Sequence, residues 1–195
     1  MRFHYGSIPE NKDFNPEAEG WLSIREPGPI AMQVIAIPVA LILLAVWAVC
    51  LFSIQQDLPP FQAFRADINT LLILLLIIPV HELLHAFTHP GWGTSSNSII
   101  GLWLSKGLFY AHYEGEMSRN RFLLVFVMPL IVLGVLPTLL IMMRPEWTQS
   151  LLWISLFGTI LASGDLVCVG IIFFQIPRSA VVRNKGWRTY WKPAQ

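Results

Sequence analysis

Charge is what this chain has least of: 13% of its 195 residues are Asp, Glu, Lys or Arg, and the formal net charge is +1. A balance so close to neutral gives no sign of a nucleic-acid partner, whose affinity comes chiefly from neutralising phosphates. Cysteine is scarce as well. Cys50 and Cys168 both fall in long apolar runs, so no disulfide framework of the secreted kind is implied. What is abundant is hydrocarbon, with 54% hydrophobic residues and a mean hydropathy of +0.57, well outside the range of soluble domains. The expected solvent is a lipid bilayer.

Four apolar runs, residues 30–54, 68–88, 122–143 and 150–175, are each long enough to cross a membrane, which takes about 20 helical residues. The first begins too far into the chain and is too long for a secretion signal, so it reads as a retained span. Lys and Arg then set the orientation. Eleven of the thirteen lie in the leader 1–29, the loop 89–121 or the tail 176–195, leaving Arg65 and Arg144 opposite, so both termini are predicted to be cytoplasmic. The mixed basic and aromatic tail, with Trp187, Tyr190 and Trp191 among Arg183, Lys185, Arg188 and Lys192, suits the lipid headgroup layer. The leader, with five acidic and three basic residues, reads as a gate, a docking arm or a disordered segment.

Two aliphatic and aromatic runs, 98–104 and 108–113, flank Ser105-Lys106-Gly107 and predict a β-hairpin in the loop between the second and third spans. Its edge would either hold an extended peptide by backbone hydrogen bonds or rest on the membrane without touching substrate. The expected architecture is therefore an all-α polytopic protein of the cell membrane, with four transmembrane helices, one cytoplasmic hairpin and a single membrane domain over 30–175.

Within those runs stand only two carboxylates, Glu82 and Asp165. Glu82 belongs to His81-Glu82-Leu83-Leu84-His85, an H-E-x-x-H pattern inside the second span. An unpartnered carboxylate at that depth costs about 2 to 4 kcal/mol on insertion scales, which a purely structural helix has no reason to bear. Four residues apart, His81 and His85 stack on one helix face, where both reach a single Zn2+. Glu82 beside them is placed to take a proton from water.

Depth points to a candidate third ligand. The second and fourth spans run in the same direction, and His81 and Asp165 lie about 20 and about 22 Å from their respective starts at the helical rise. Two readings of Asp165 stand at this point: a metal ligand completing two imidazoles and a carboxylate, or a carboxylate satisfying backbone amides freed by an interruption at Ala162-Ser163-Gly164. His89 is a rival ligand, but on a straight helix it lies about 12 Å from His81, and Pro90 marks the end of the span. Cys168 reads as a small packing residue. Pro79, Pro129 and Pro137 read as kinks, Gly158 and Ala162 as a close-packing step, and Ser118 as the cap of the third span. Asn97 and His112, candidates for stabilising an oxyanion, read more readily as solvated loop residues.

Taken together, the H-E-x-x-H element, the hairpin loop, Phe122-Leu123-Leu124-Val125-Phe126-Val127-Met128-Pro129 and Ser163-Gly164-Asp165 resemble the putative zincin peptidases, a bacterial family of small membrane proteins. More distantly they resemble site-2 intramembrane metalloproteases. The resemblance implies zinc held by His81, His85 and Asp165, with Glu82 as catalytic base, and hydrolysis of membrane-embedded or membrane-adjacent peptides near the cytoplasmic face. One departure is Ser163-Gly164 where site-2 proteases usually place an asparagine-proline or similar element, which bears on substrate orientation rather than on the carboxylate. The competing reading is a catalytically inactive zinc-binding membrane protein serving as chaperone, sensor or regulatory subunit. Glu82 weighs against it, since such a role has no use for a base.

Overall fold

A computed structural model describes residues 1–54, 66–143 and 148–194. Arg65 and Arg144, the sparse side of the charge count, lie outside those residues. The first apolar run forms α1 (Pro29–Ile54) and the second α2 (Ile68–Thr88). Asp67 starts α2 with a reciprocal cap: its Oδ1 accepts from the Thr70 amide at 2.9 Å, and its own amide donates to Thr70 Oγ1 at 3.3 Å. Pro79 is accommodated inside α2, which runs on to Thr88.

The third run is not one uniform helix. It consists of α3 (Arg119–Pro129), a wide-turned π-helical stretch Leu130–Val135, and α4 (Leu136–Met143). Ser118 caps α3 as expected, its Oγ accepting from the Arg121 amide at 3.3 Å. The fourth run is broken into α5 (Thr148–Leu161) and α6 (Ser163–Gln175), which meet at a 41° bend. Among the described residues three helices, and a fourth counting this bent pair, are long and apolar enough to cross a membrane. Val34, Leu41 and Val49 on α1 and Leu71 and Leu75 on α2 lie exposed, an apolar exterior compatible with lipid.

Helix packing follows the small residues. α1 packs on α5 and α6, and α2 on α3 and α5. Gly158 lets α5 press against the π-helical stretch so closely that a Cβ there would overlap the Leu133 carbonyl. One buried cluster, with Phe122, Val125 and Ile172 among its members, joins α3 and α6 to the sheet beneath them; Leu51, Ile141 and Leu152 form a second.

The chain is not all-α, and this corrects the expected fold class. The predicted hairpin is present as β3 (Ser98–Trp103) and β4 (Leu108–Tyr113), antiparallel from Ser98↔Tyr113 to Trp103↔Leu108. Gly107 closes its turn at φ 60°, a conformation glycine adopts without strain. The leader adds β1 (Arg2–Tyr5) parallel to β3, giving the order β1-β3-β4. A second sheet has the order β2-β7-β6-β5 and combines β2 (Leu22–Ser23), β5 (Met117–Ser118) and a tail hairpin of β6 (Ala180–Lys185) and β7 (Arg188–Pro193). Strands of two to four residues carry too little alternation to be read from sequence. In the tail, charged and aromatic residues masked a hairpin whose turn carries Gly186 at φ 56°.

The leader is bound to the tail by specific contacts. Glu26 accepts from the amide and the hydroxyl of Thr189 at 2.6 and 3.0 Å, and Trp187 donates to the Pro27 carbonyl at 2.8 Å. Burial raises the Glu26 carboxyl above its usual range against the opposing pull of Thr189.

Gly158→Val should force α5 away from Leu133 and cost about 1 to 3 kcal/mol, as overpacking of a tight contact does. Thermal unfolding of the detergent-purified protein would show this as a lowered midpoint, and an unchanged midpoint would refute the close approach.

Candidate metal centre

His81 and His85 project from the same face of α2, with ring centroids 4.8 Å apart and planes inclined by 82°. Their Nε2 atoms lie 3.2 Å from each other. Asp165 approaches from the first turn of α6, Oδ2 at 3.0 Å from His81 Nε2 and Oδ1 at 3.4 Å from His85 Nε2. One donor atom from each of the three can be chosen so that all lie within 4.8 Å of one another. Equal depth predicts that Asp165 meets α2 at the level of His81, and the two side chains are in contact there.

The interruption in the fourth span proves to be real without making Asp165 its cap. Ala162 stands at the junction in helical geometry with no side-chain cap, and the Asp165 carboxylate faces the imidazoles. Its Oδ2 lies 3.0 Å from His81 Nε2 without the alignment of a hydrogen bond.

One contact fixes the chemistry of His85. Its Nδ1 lies 2.8 Å from the Val125 carbonyl of α3, and because a carbonyl can only accept, Nδ1 carries the proton. In the neutral ring Nε2 is then a bare lone pair facing another imidazole nitrogen and a carboxylate. Two buried acceptors, His85 Nε2 and the Asp165 carboxylate, thus converge on His81 Nε2, and two imidazole nitrogens with one carboxylate oxygen form a donor set suited to zinc. The residues therefore fit the ion. His81 Nδ1, by contrast, is buried with no hydrogen-bond partner.

Glu82 lies outside the three-donor group. Its carboxylate faces the Ala111 amide of β4, and it lines the same cavity as His81, His85 and Asp165. That cavity, of about 500 Å³, is bounded by β4, by Met32 and Gln33 of α1, and by Ile24 and Glu26 of the leader. The leader is part of its wall.

His89, the rival ligand, is turned elsewhere. Its Nδ1 lies 3.3 Å from Ser98 Oγ and its ring 5.2 Å from that of Tyr113, which ties the end of α2 to the hairpin. Burial holds it neutral, pulling its pKa down to about 3. Arg121 of α3 strengthens the same junction, donating to the Thr88 and His89 carbonyls at 2.8 and 2.9 Å. Cys168 is half-buried against the apolar cluster and outside the donor group.

His112 departs from expectation. Rather than a solvated loop residue it is 4% exposed, lines the cavity, and leaves Nε2 without a partner. Burial lowers its pKa to about 4, so the ring is neutral at pH 7. Asn97 is exposed and lies outside the cavity lining. The Val125 carbonyl, the Ala111 amide and the guanidinium of Arg121 went unread in the sequence, because backbone acceptors and end-of-helix clamps carry no motif.

A helix presenting two histidines to a carboxylate from a second helix, in a buried cavity, has the donor set of a zinc peptidase centre. Residues 74–181, more than half of the chain, match the family described as "Putative zincin peptidase". The chain belongs to that family, which suggests a metallopeptidase and implies zinc. No curated protein and no solved structure matches it.

Metal analysis of the detergent-purified chain should find one zinc per molecule, lost in both His81→Ala and Asp165→Ala. Retention of stoichiometric zinc by Asp165→Ala would remove the carboxylate from the ligand set.

Proposed function

We propose that this protein is a zinc-dependent intramembrane metallopeptidase that hydrolyses membrane-embedded or membrane-adjacent peptides near the cytoplasmic face. The observation that carries this reading is the convergence of His81, His85 and Asp165 in a buried cavity that Glu82 also lines. In this reading His81, His85 and Asp165 hold the ion and Glu82 is the base. Zinc, when bound, supplies a Lewis acid that polarises a peptide carbonyl and makes water more acidic.

The chain's own groups account for the remaining steps. Glu82, steadied by the Ala111 amide, takes a proton from the attacking water and returns it to the leaving amine, so no covalent intermediate is needed. Neutral His112 has an N–H to offer the oxygen of the carbonyl under attack, where charge develops. β4 is the outer strand of its sheet and its whole length lines the cavity, so an extended peptide would pair along it. A helical substrate hides its carbonyls in hydrogen bonds and must unwind before attack, which favours targets with weak helix formers near the cleaved bond.

The four apolar stretches would lie in the cell membrane with both termini in the cytoplasm. The leader, the hairpin and the tail would then form one cytoplasmic layer around the cavity mouth, consistent with the hydrogen bonds joining leader to tail.

Cleavage of a helix-destabilised transmembrane peptide in proteoliposomes, followed by mass spectrometry, tests the assignment. Glu82→Gln should keep zinc and lose at least about hundredfold in rate, and a Glu82→Gln protein that cleaves normally would refute the base. His112→Ala should also keep zinc while kcat falls about hundredfold with little change in KM. A change confined to KM would reassign His112 to ground-state binding.

A further inference from the structure

The metal centre depends on a backbone oxygen that an ordinary helix would not offer. In an α-helix the carbonyl of residue i accepts from the amide of residue i+4. For Val125 that residue is Pro129, which has no N–H. The next amide does not replace it, because the Leu130 N–H turns back to the Val127 carbonyl as the chain enters the π-helical stretch Leu130–Val135. Val125 is 5% exposed, so water is no ready substitute either. The acceptor is instead used by His85, whose Nδ1–H reaches it at 2.8 Å.

We propose that Pro129 is a positioning residue of the metal centre: by withholding the helical donor from Val125 and pushing that carbonyl off the axis of α3, it provides the acceptor that locks His85 with Nε2 turned toward His81 and Asp165. The proposal rests on the metal-centre reading above. Two features make the contact matter more than one hydrogen bond among many. His81 has no counterpart to it, since its Nδ1 is unpartnered, so Val125 is what sets the orientation of an imidazole in this site. α3 is also held on α2 independently, by Arg121 on the Thr88 and His89 carbonyls, so losing the His85 contact leaves the two helices docked.

The plain alternative is that Pro129, fully buried, merely shapes the helix for packing. Pro137 provides the comparison within the same run. Four residues before it lies Leu133, whose carbonyl is pressed by Gly158 of α5 rather than approached by a donor set. A proline that acts through packing should affect stability; one that acts through His85 should affect the ion.

Replacement of Pro129 by alanine restores the amide to Val125 and lets its carbonyl swing back along the axis. Outer contacts of this kind typically change metal affinity by about 10- to 100-fold. Zinc affinity of the full chain in detergent, measured by chelator competition, should therefore weaken at least about tenfold in Pro129→Ala and stay at the wild-type value in Pro137→Ala. Cobalt-loaded Pro129→Ala should also show an altered visible spectrum. Equal zinc affinity in Pro129→Ala and wild type, or an equal loss in both proline variants, would overturn the proposal. Wild type that binds no zinc would overturn the metal-centre reading itself. Should Pro129→Ala fail to fold, ¹⁵N-histidine spectra of the zinc-loaded wild type decide the matter: the Nδ1–H form at His85 is expected, and a proton on Nε2 would sink the idea.

Discussion

An apolar interior offers no partner to a carboxylate or an imidazole, so the polar groups buried within it must find one another, and the helices must be arranged to let them. Asp165 meets His81 at 3.0 Å across the interface of two runs that are otherwise almost free of charge. Much of the architecture can be read as serving that meeting. The fourth run breaks at Ala162, so that α6 begins next to α2 with Asp165 in its first turn. Gly158 lets α5 approach the π-helical stretch, and Arg121 fastens the end of α2 to the beginning of α3.

Around that pair the protein builds an enclosure from parts distant in sequence. The leader, the hairpin strand β4, α1 and both halves of the fourth run all contribute to one cavity of about 500 Å³. The result is a mostly apolar chamber with a few polar groups in it, Glu82 and His112 among them. Electrostatic interactions at its apolar walls gain strength as the dielectric constant falls.

The sequence was most legible where the solvent argument is strongest. Long apolar runs pointed to helices long enough to cross a membrane, and two isolated carboxylates among them pointed to the cavity that both line, because an unpartnered charge in apolar surroundings is costly. The hairpin was legible too, from two β-prone runs about a glycine. The leader and tail were not, since β1, β2 and β5 are too short to show a period and acquire their pairing only from strands far along the chain. His112 was misjudged because a histidine in a loop looks the same in sequence whether it points outward or into a cavity. Pro129 was noticed as a kink, but its spacing of four from Val125 acquires meaning only once α2 is seen beside α3.

The order of synthesis gives the strand pairing a further meaning. β1 lies at residues 2–5, yet its partner β3 comes nearly a hundred residues later, and β2 pairs with β7 at the far end of the chain. β1 cannot pair until the hairpin has been made, and β2 must wait for β7. The part of the chamber wall that the leader supplies is therefore completed last, so a chain halted before these partners would carry the histidine helix without its full enclosure.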